Sequence, residues 1–412
     1  MHKGILFGLV SLSFLGWCVG LSQQTTSLLP QAEIKSCVEL RPGVYVANEI
    51  STLPLPTSGY DVYVIGEVHA MCESQQFLLD YLKILYEVAG VRDVVLENNW
   101  LWGEDAENYV QGRSDEKGFW YSLDCVVLDG IRAWNAGLPE DERVHVHMID
   151  IISIGRTGKA SFLSTLHDYL RTVLERLGEE AKDIEIPLTS YHFHTWSEEA
   201  LLQLADQLID VAGDDHTLID DLEALRLVLR HYCAYRDLRW GDEEPKEIAS
   251  LRETAIAESM QHLVDRLEGK PVLVLCGMWH ATKILHEVWN RPYNEVQSWV
   301  QQLAKEGVSI HSLHVIGLSG RTGVGGSSLR FPVRCETDTF LFPDGESLST
   351  ILEAAPQHES VYIDLRVEEN AGTRFRLCEV QGFNNETSVL VGELLDGIVF
   401  FKEATPIAQA CP

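Results

Sequence analysis

Basic residues are scarce in this chain: 32 Lys and Arg stand against 62 Asp and Glu, a formal net charge of −30 over 412 residues. A surface that acidic repels phosphate backbones and anionic lipid, which sets nucleic-acid and membrane-surface roles aside. Beyond the N-terminus no apolar run approaches the ~20 residues that a bilayer-spanning helix needs. No two cysteines are spaced Cys-x-x-Cys, which removes a zinc ribbon and a thioredoxin-type site. No Gly-x-Ser-x-Gly occurs, so there is no nucleophile elbow for a serine acyl-enzyme. There is also no repeat of fixed period and no low-complexity tract. What remains is an ordinary globular composition, 45% hydrophobic and 23% charged, which excludes a disordered chain, a coiled coil and a collagen-like fibre. The length suits two domains or one elaborated one.

Residues 1–22 read as a secretory signal: Lys3 supplies the positive start, Ile5 to Trp17 an apolar run, and small residues permit cleavage near Gly20 or Ser22. The expectation is a secreted or periplasmic protein with no membrane span after signal cleavage. A retained anchor is the alternative. Removal of Cys18 leaves eight of the nine cysteines. An even number in an oxidising compartment favours disulfides. Residues 23–59, rich in Ser, Thr, Pro and Gln, suggest a lead-in with little regular structure.

From there strands and helices alternate. Val62 to Ile65, ending at Gly66, reads as a buried strand, and Phe77, Leu78, Tyr81, Leu82, Leu85 and Tyr86 follow at helical spacing. Asp93 to Leu96 is a second strand, Val144 to Ile149 a third and Pro271 to Cys276 a fourth. Helical patterns cover 104–112, 122–136 and a long stretch over 160–268, with breaks near Pro187 and Gly213. The fold class is α/β, a mostly parallel central sheet with helices on both faces, a long helical insertion and a β-rich C-terminal extension. That tail, from 330 onward, is either a small domain of its own or an extension of the same sheet.

In open α/β sheets ligands bind beyond the carboxyl ends of the strands. Polar residues crowd those ends here: Glu67 and His69, then Glu97, Asp150 and His280. Two segments, Gly66-Glu67-Val68-His69 and Gly277-Met278-Trp279-His280, repeat a Gly-x-x-His pattern, with the Gly expected to permit a sharp turn off the strand. Two imidazoles among carboxylates suit general base catalysis on water, or a metal site with His and carboxylate ligands.

These motifs resemble the erythromycin esterase family, within a wider group that includes Tiki-type proteases and haem-uptake proteins of the ChaN type. "VIGEVHAMCE" is similar to that family's opening Gly-Glu-x-Thr-His-Gly, "VVLENN" to its strand ending in Glu, and "HMID" to its strand ending in Gly-x-Asp. "ENYVQG", "IRAWN" and "RETAIAESM" resemble its helices, and "VLVLCGMWHATK" its His-Asn-x-His strand end. "VYIDLR" and "LLDGIVFFKEATP" resemble its C-terminal strands. The likeness spans about 60–407 and favours one elaborated hydrolase domain over that range. It implies an exported hydrolase that cleaves a small-molecule carboxylic ester or lactone by direct attack of water, with no cofactor. On matching positions His69 would be the general base, Glu67 would orient it, Glu97 and His280 would complete the site, and Arg252 would stabilise an oxyanion or a substrate carboxylate.

The chain departs from that pattern in places. Glu67 and His69 are spaced by two residues and not three, Gly277 stands where the esterases carry a His, and Gln75 and Gln76 stand where basic residues are frequent. The shortened motif motivates an alternative, a divalent-metal hydrolase or peptidase with His69, Glu97 and His280 as ligands. A haem or small-ligand binding protein is the third reading. Among minor features, His192 and His194 would share a face if extended, and His145 and His147 alternate within a strand and are expected to pack. "GLSGRTGVGGSSLR" at 317–330 has Gly326 where a phosphate loop needs Lys, so it reads as a plain loop. Cys72 and Cys276 flank the site, either as a disulfide clamp or as two buried residues.

Overall fold

In a computed structural model of the chain, the described residues are 37–118, 121–151, 159–236, 246–283, 296–322, 331–332, 337–376 and 388–407. The strands are β1 Cys37–Arg41, β2 Val44–Ala47, β3 Val62–Glu67, β4 Asp93–Asn99, β5 His145–Asp150, β6 Val272–Gly277, β7 Ile310–Gly317, β8 Arg321–Thr322, β9 Phe331–Pro332, β10 Ser360–Asp364, β11 Arg374–Arg376, β12 Ser388–Leu390 and β13 Gly397–Phe401. The helices among the described residues are α1 Cys72–Val88, α2 Gly103–Val110, α3 Tyr121–Asn135, α4 Lys159–Leu177, α5 Glu198–Ala212, α6 His216–Tyr235, α7 Lys246–Arg266, α8 Trp299–Lys305, α9 Leu348–Ala354 and α10 Val391–Leu394.

Nine strands form one sheet in the order β1-β2-β10-β13-β7-β3-β6-β4-β5. The run from β13 to β5 is parallel, and β1, β2 and β10 add to it antiparallel. β3 is buried at every position because each face is covered by helices. Tyr63 and Ile65 pack with Phe77, Leu78 and Tyr81 of α1. Val62 and Val64 pack with Ile256 and Met260 of α7 and Trp299 of α8. The α/β architecture with helices on both faces is therefore as the alternating pattern suggests.

The long helical stretch divides into α4, α5, α6 and α7. The first three build a core of their own around Phe162, Leu201, Leu204, Leu222, Leu225 and Tyr232. Ser197 accepts from the Ala200 N–H and Asp215 from the Leu218 N–H, so each helix start is capped by a side chain. No helix among the described residues is long and apolar enough to cross a membrane.

One feature differs from the sequence reading, and the tail takes one of the two forms it left open. The lead-in expected over 23–59 carries regular structure from Cys37 on, where β1 begins, and β1 and β2 join the main sheet. Val44 and Val46 are fully buried and β2 pairs with β10, a partner at the far end of the chain that local pattern does not reveal. The tail extends the same sheet: β13 lies against β7, and β10 against β13.

Candidate active site

The crevice at the carboxyl ends of β3, β6, β4 and β5 is assembled by register. Glu67 pairs with Gly277, so the ends of β3 and β6 lie side by side. β4 runs in step with β5 as far as Leu96, then slips before Asn99. Such an irregularity re-aims side chains, and Glu97 and Asn98 sit on it. β5 delivers Asp150, and α7 crosses beneath with Arg252 and Glu253, both buried.

The structure brings together all five residues that the sequence nominates. His69 Nδ1 donates to Glu67 Oε1 at 3.3 Å. His280 Nε2 lies 3.1 Å from Glu97 Oε1, and its Nδ1 2.7 Å from Glu253 Oε1. Arg252 donates through Nε to Asp150 Oδ1 at 2.9 Å and through Nη2 to Asp150 Oδ2 at 2.7 Å and Glu97 Oε1 at 2.6 Å. The Gly277 N–H donates to the other Glu97 oxygen, and the Trp299 N–H to Glu253 Oε2. Glu67, Asp150, Arg252, Glu253 and His280 are buried and the Glu97 side chain is 8% exposed, whereas the His69 side chain is 54% exposed. His69 is the member of the cluster that meets solvent.

The electrostatics follow from that packing. Burial disfavours charge on His280, but Glu253 and Glu97 outweigh it and raise its pKa to about 10. Burial also works against His69, and the hydrogen bond from His69 to Glu67, with the charges of Glu97 and Glu67, raises it to about 9. For Glu97, burial is overcome by His280, His69 and Arg252, which hold it well below the usual carboxylate range. His314, beneath the crevice, is pushed by burial down to about 3 and stays neutral; its Nε2 donates to the Met278 carbonyl at 2.8 Å.

Gly277 ends β6 and its carbonyl accepts from the His280 N–H at 2.9 Å, closing the expected turn, whereas Gly66 lies inside β3. The turn after β3 falls at Ala70, in the left-handed region at φ 64° directly after His69. The glycines are needed for close approach. A Cβ on Gly66 would stand 2.5 Å from His314 and 2.7 Å from Ala281. A Cβ on Gly277 would stand 2.9 Å from His69 Nε2 and 3.3 Å from Glu97 Oε2. The esterase-like His at this position has no room here.

Asp124 is a site residue that the sequence reading missed, together with Asn98, whose amide donates to Asp124 Oδ2 at 3.1 Å. Asp124 interrupts α3, with φ −126° and ψ 22° inside the helix. Gln75 of α1 fills the break: its Nε2 donates to the Leu123 carbonyl at 2.7 Å, and its Oε1 accepts from the N–H groups of Val126 and Val127 at 3.1 and 3.4 Å. Burial and the charges of Glu67 and Glu97 push Asp124 up to about 7, against the Asn98 bond and His69.

The remaining candidates fall elsewhere. Cys72 and Cys276 are free thiols, so they form no clamp, and burial raises the Cys276 thiol well above its ordinary pKa. His192 and His194 lie in a single 3-10 turn, Ser190–Thr195, and not in an extended segment; His194 Nδ1 meets the Tyr232 hydroxyl at 3.0 Å. His145 and His147 pair with Glu107 and Asp93, each at 2.8 Å. His145 and His147 also line a cleft of about 580 Å³, shared with Trp100, Tyr169, Arg226 and His262, that contains none of the five nominated residues. Most of the loop at 317–330 lies outside the described residues.

The donor set does not fit a metal ion. Both nitrogens of His280 face carboxylates, Arg252 takes one oxygen of Glu97, and the Gly277 N–H takes the other. Among the described residues no group of three or more His, Cys, Asp or Glu is arranged to hold one. The same engagement leaves His280 no nitrogen for a haem iron.

The fold and the site define an α/β protein with a charged crevice at the carboxyl edge of its sheet. No family model and no curated protein matches the chain. Solved structures do match. A succinoglycan biosynthesis protein superposes with a TM-score of 0.63 at 13% identity, over 89% of this chain and 95% of that one. A Bacillus cereus protein superposes at 0.58 and 16%, over 85% and 90%. An erythromycin esterase mutant, EreC in its open conformation, superposes at 0.55 and 14%, over 85% and 92%. At these identities the likeness is one of fold.

Proposed function

We propose that the protein is a hydrolase that cleaves a carboxylic ester or a lactone by direct attack of water, with His69 as the group that takes the water proton. The observation that carries this is the setting of His69: Nδ1 is tied to Glu67, the ring is half exposed, and Nε2 lies over Gly277 beside Glu97. Glu67 fixes the tautomer, so the lone pair of the neutral ring is on Nε2, where a water can reach it. The shared fold with an erythromycin esterase supports the reaction class.

Roles follow from contacts. Glu97 carries the negative charge that stabilises the imidazolium formed when His69 takes a proton. His280 and Arg252 hold Glu97 ionised. With its Nε and Nη2 donors on Asp150 and Glu97, Arg252 acts as a positioning residue. Because His69 carries a proton up to about pH 9, its basic form grows as pH rises towards that value. Activity with an activated ester should rise with pH through the same range.

The same reading makes the substrate a small molecule and the protein exported, secreted or periplasmic, once residues 1–22 are removed. The hydrolase domain of 60–407 then gains β1 and β2 as part of its sheet. A disulfide belongs to this reading as well, since an exported chain would keep eight cysteines in an oxidising compartment.

The test is hydrolysis of a panel of simple esters and lactones by the purified mature protein, with and without a chelator. Turnover that ignores chelation is expected. Turnover abolished by the chelator would replace this mechanism with a metal-dependent one, and silence across the panel would count against ester chemistry.

A further inference from the structure

Ester cleavage needs an acid as well as a base. When water adds to the acyl carbon and the tetrahedral intermediate collapses, the departing alkoxide needs a proton, and an ionised carboxylate has none to give. Four of the five carboxyl groups of the crevice lie against His or Arg side chains. Glu67 accepts from His69; Glu97 and Asp150 accept from Arg252; Glu253 lies against His280. The fifth, Asp124, is bonded by a neutral amide, that of Asn98.

Its placement is built in two ways. α3 breaks at Asp124, and Gln75 bonds both sides of the gap, so the break is held by a buried side chain from another helix. On the other side, Asn98 follows Glu97 on the irregular end of β4, so the residue that holds Asp124 is the immediate neighbour of a site carboxylate. A further observation points to an occupant of this corner. Glu67 is buried, and its Oε2 has no hydrogen-bond partner while Oε1 takes His69. A substrate hydroxyl or the attacking water would satisfy it.

Resting on the hydrolase reading above, we propose that Asp124 is the general acid of the site, protonating the leaving alkoxide while His69 draws the proton from water. The water oxygen bonds to the acyl carbon as its proton passes to His69 Nε2. The bond from carbon to the alkoxy oxygen then breaks, and that oxygen takes the Asp124 proton. Acid and alcohol leave; the His69 proton returns through solvent to the Asp124 carboxylate, and the cycle closes with no other reactant. The groups that act on Asp124 are Glu67 from β3, His69 beyond it, and Glu97 and Asn98 from β4. Burial and then the charges of Glu67 and Glu97 favour its protonated form, so that the acid is present up to about pH 7.

The experiment compares two esters of one acid, a methyl ester and a p-nitrophenyl ester. The nitrophenolate departs without a proton, so only the methyl ester needs the acid. For Asp124→Asn, kcat on the methyl ester should fall about 10²- to 10⁴-fold, and kcat on the nitrophenyl ester by about a tenth of that factor or less. In the wild-type protein, the methyl-to-nitrophenyl ratio of kcat should fall as pH rises through about 7, where Asp124 loses its proton. The ratio cancels the ionisation of His69 and needs no variant, so a poorly folded Asp124→Asn does not rescue the proposal. Equal loss on both esters with a flat wild-type ratio would make Asp124 structural and overturn it, as would a variant with no loss. If the wild-type protein hydrolyses neither ester, the hydrolase reading fails first and takes this assignment with it.

Discussion

His280 Nδ1 lies 2.7 Å from Oε1 of Glu253, a carboxylate with no exposed surface. Glu97 faces the other nitrogen, so one imidazole sits between two acids. A buried imidazolium in this position is stabilised by the fold and in turn stabilises it.

That linkage sets a direction with pH. The folded-state pKa of His280, about 10, lies above the ordinary value of 6.5, so the folded protein holds a proton that the unfolded chain releases. The stability it contributes is complete below pH 6.5 and is lost as pH rises towards 10. Urea denaturation across that window should show falling stability, with a shallower slope in His280→Gln. Parallel slopes in the two proteins would rule the ion pair out.

Arg252 bridges Asp150, which is buried, and Glu97, whose side chain is 8% exposed. Arg252→Ala leaves both carboxylates without their cation and should cost about 3–5 kcal/mol. Arg252→Lys should recover only part of this, since an ammonium does not reproduce the two-pronged contact with Asp150. Equal stability of the lysine variant and the wild type would show that geometry matters less than charge here.

Gly277→Ala tests the contact between the two halves of the repeated pattern. The added methyl meets His69 Nε2, the end of a half-exposed side chain that can move aside. Turnover should drop by as much as about 10²-fold through misplacement, with little change in melting. An alanine variant with wild-type turnover would place the working atom of the site somewhere other than His69.

On the proposal that residues 1–22 are removed and the protein is exported, eight cysteines remain, and their thiols offer a chemical check. Thiol titration of the denatured, unreduced protein recovered from an oxidising compartment should find fewer than eight thiols, with Cys72 and Cys276 among the reactive ones. Eight thiols would remove the disulfide.

Strand ends are readable from the chain because β3, β4 and β5 each stop at a polar residue and the apolar run of β6 stops at Gly277, three residues before His280. Register then does what spacing alone cannot, setting Glu67 beside Gly277. Asp124 was hidden because its segment keeps helical spacing on both sides, and the break is made by Gln75, distant in sequence. Glu253 adjoins Arg252 on α7, yet the two serve different partners, His280 on one side and Asp150 with Glu97 on the other. The strands β1 and β2 escaped notice because β2 depends on β10 for its pairing.

The most direct measurement is the rate of ester or lactone hydrolysis by His69→Ala beside the wild-type protein, with melting followed on the same samples. His69 is the exposed member of the cluster, so its removal should leave the fold intact. Loss of about 10²- to 10⁴-fold in kcat with unchanged melting is the expected result. Wild-type turnover in a folded His69→Ala protein would contradict water activation at this residue.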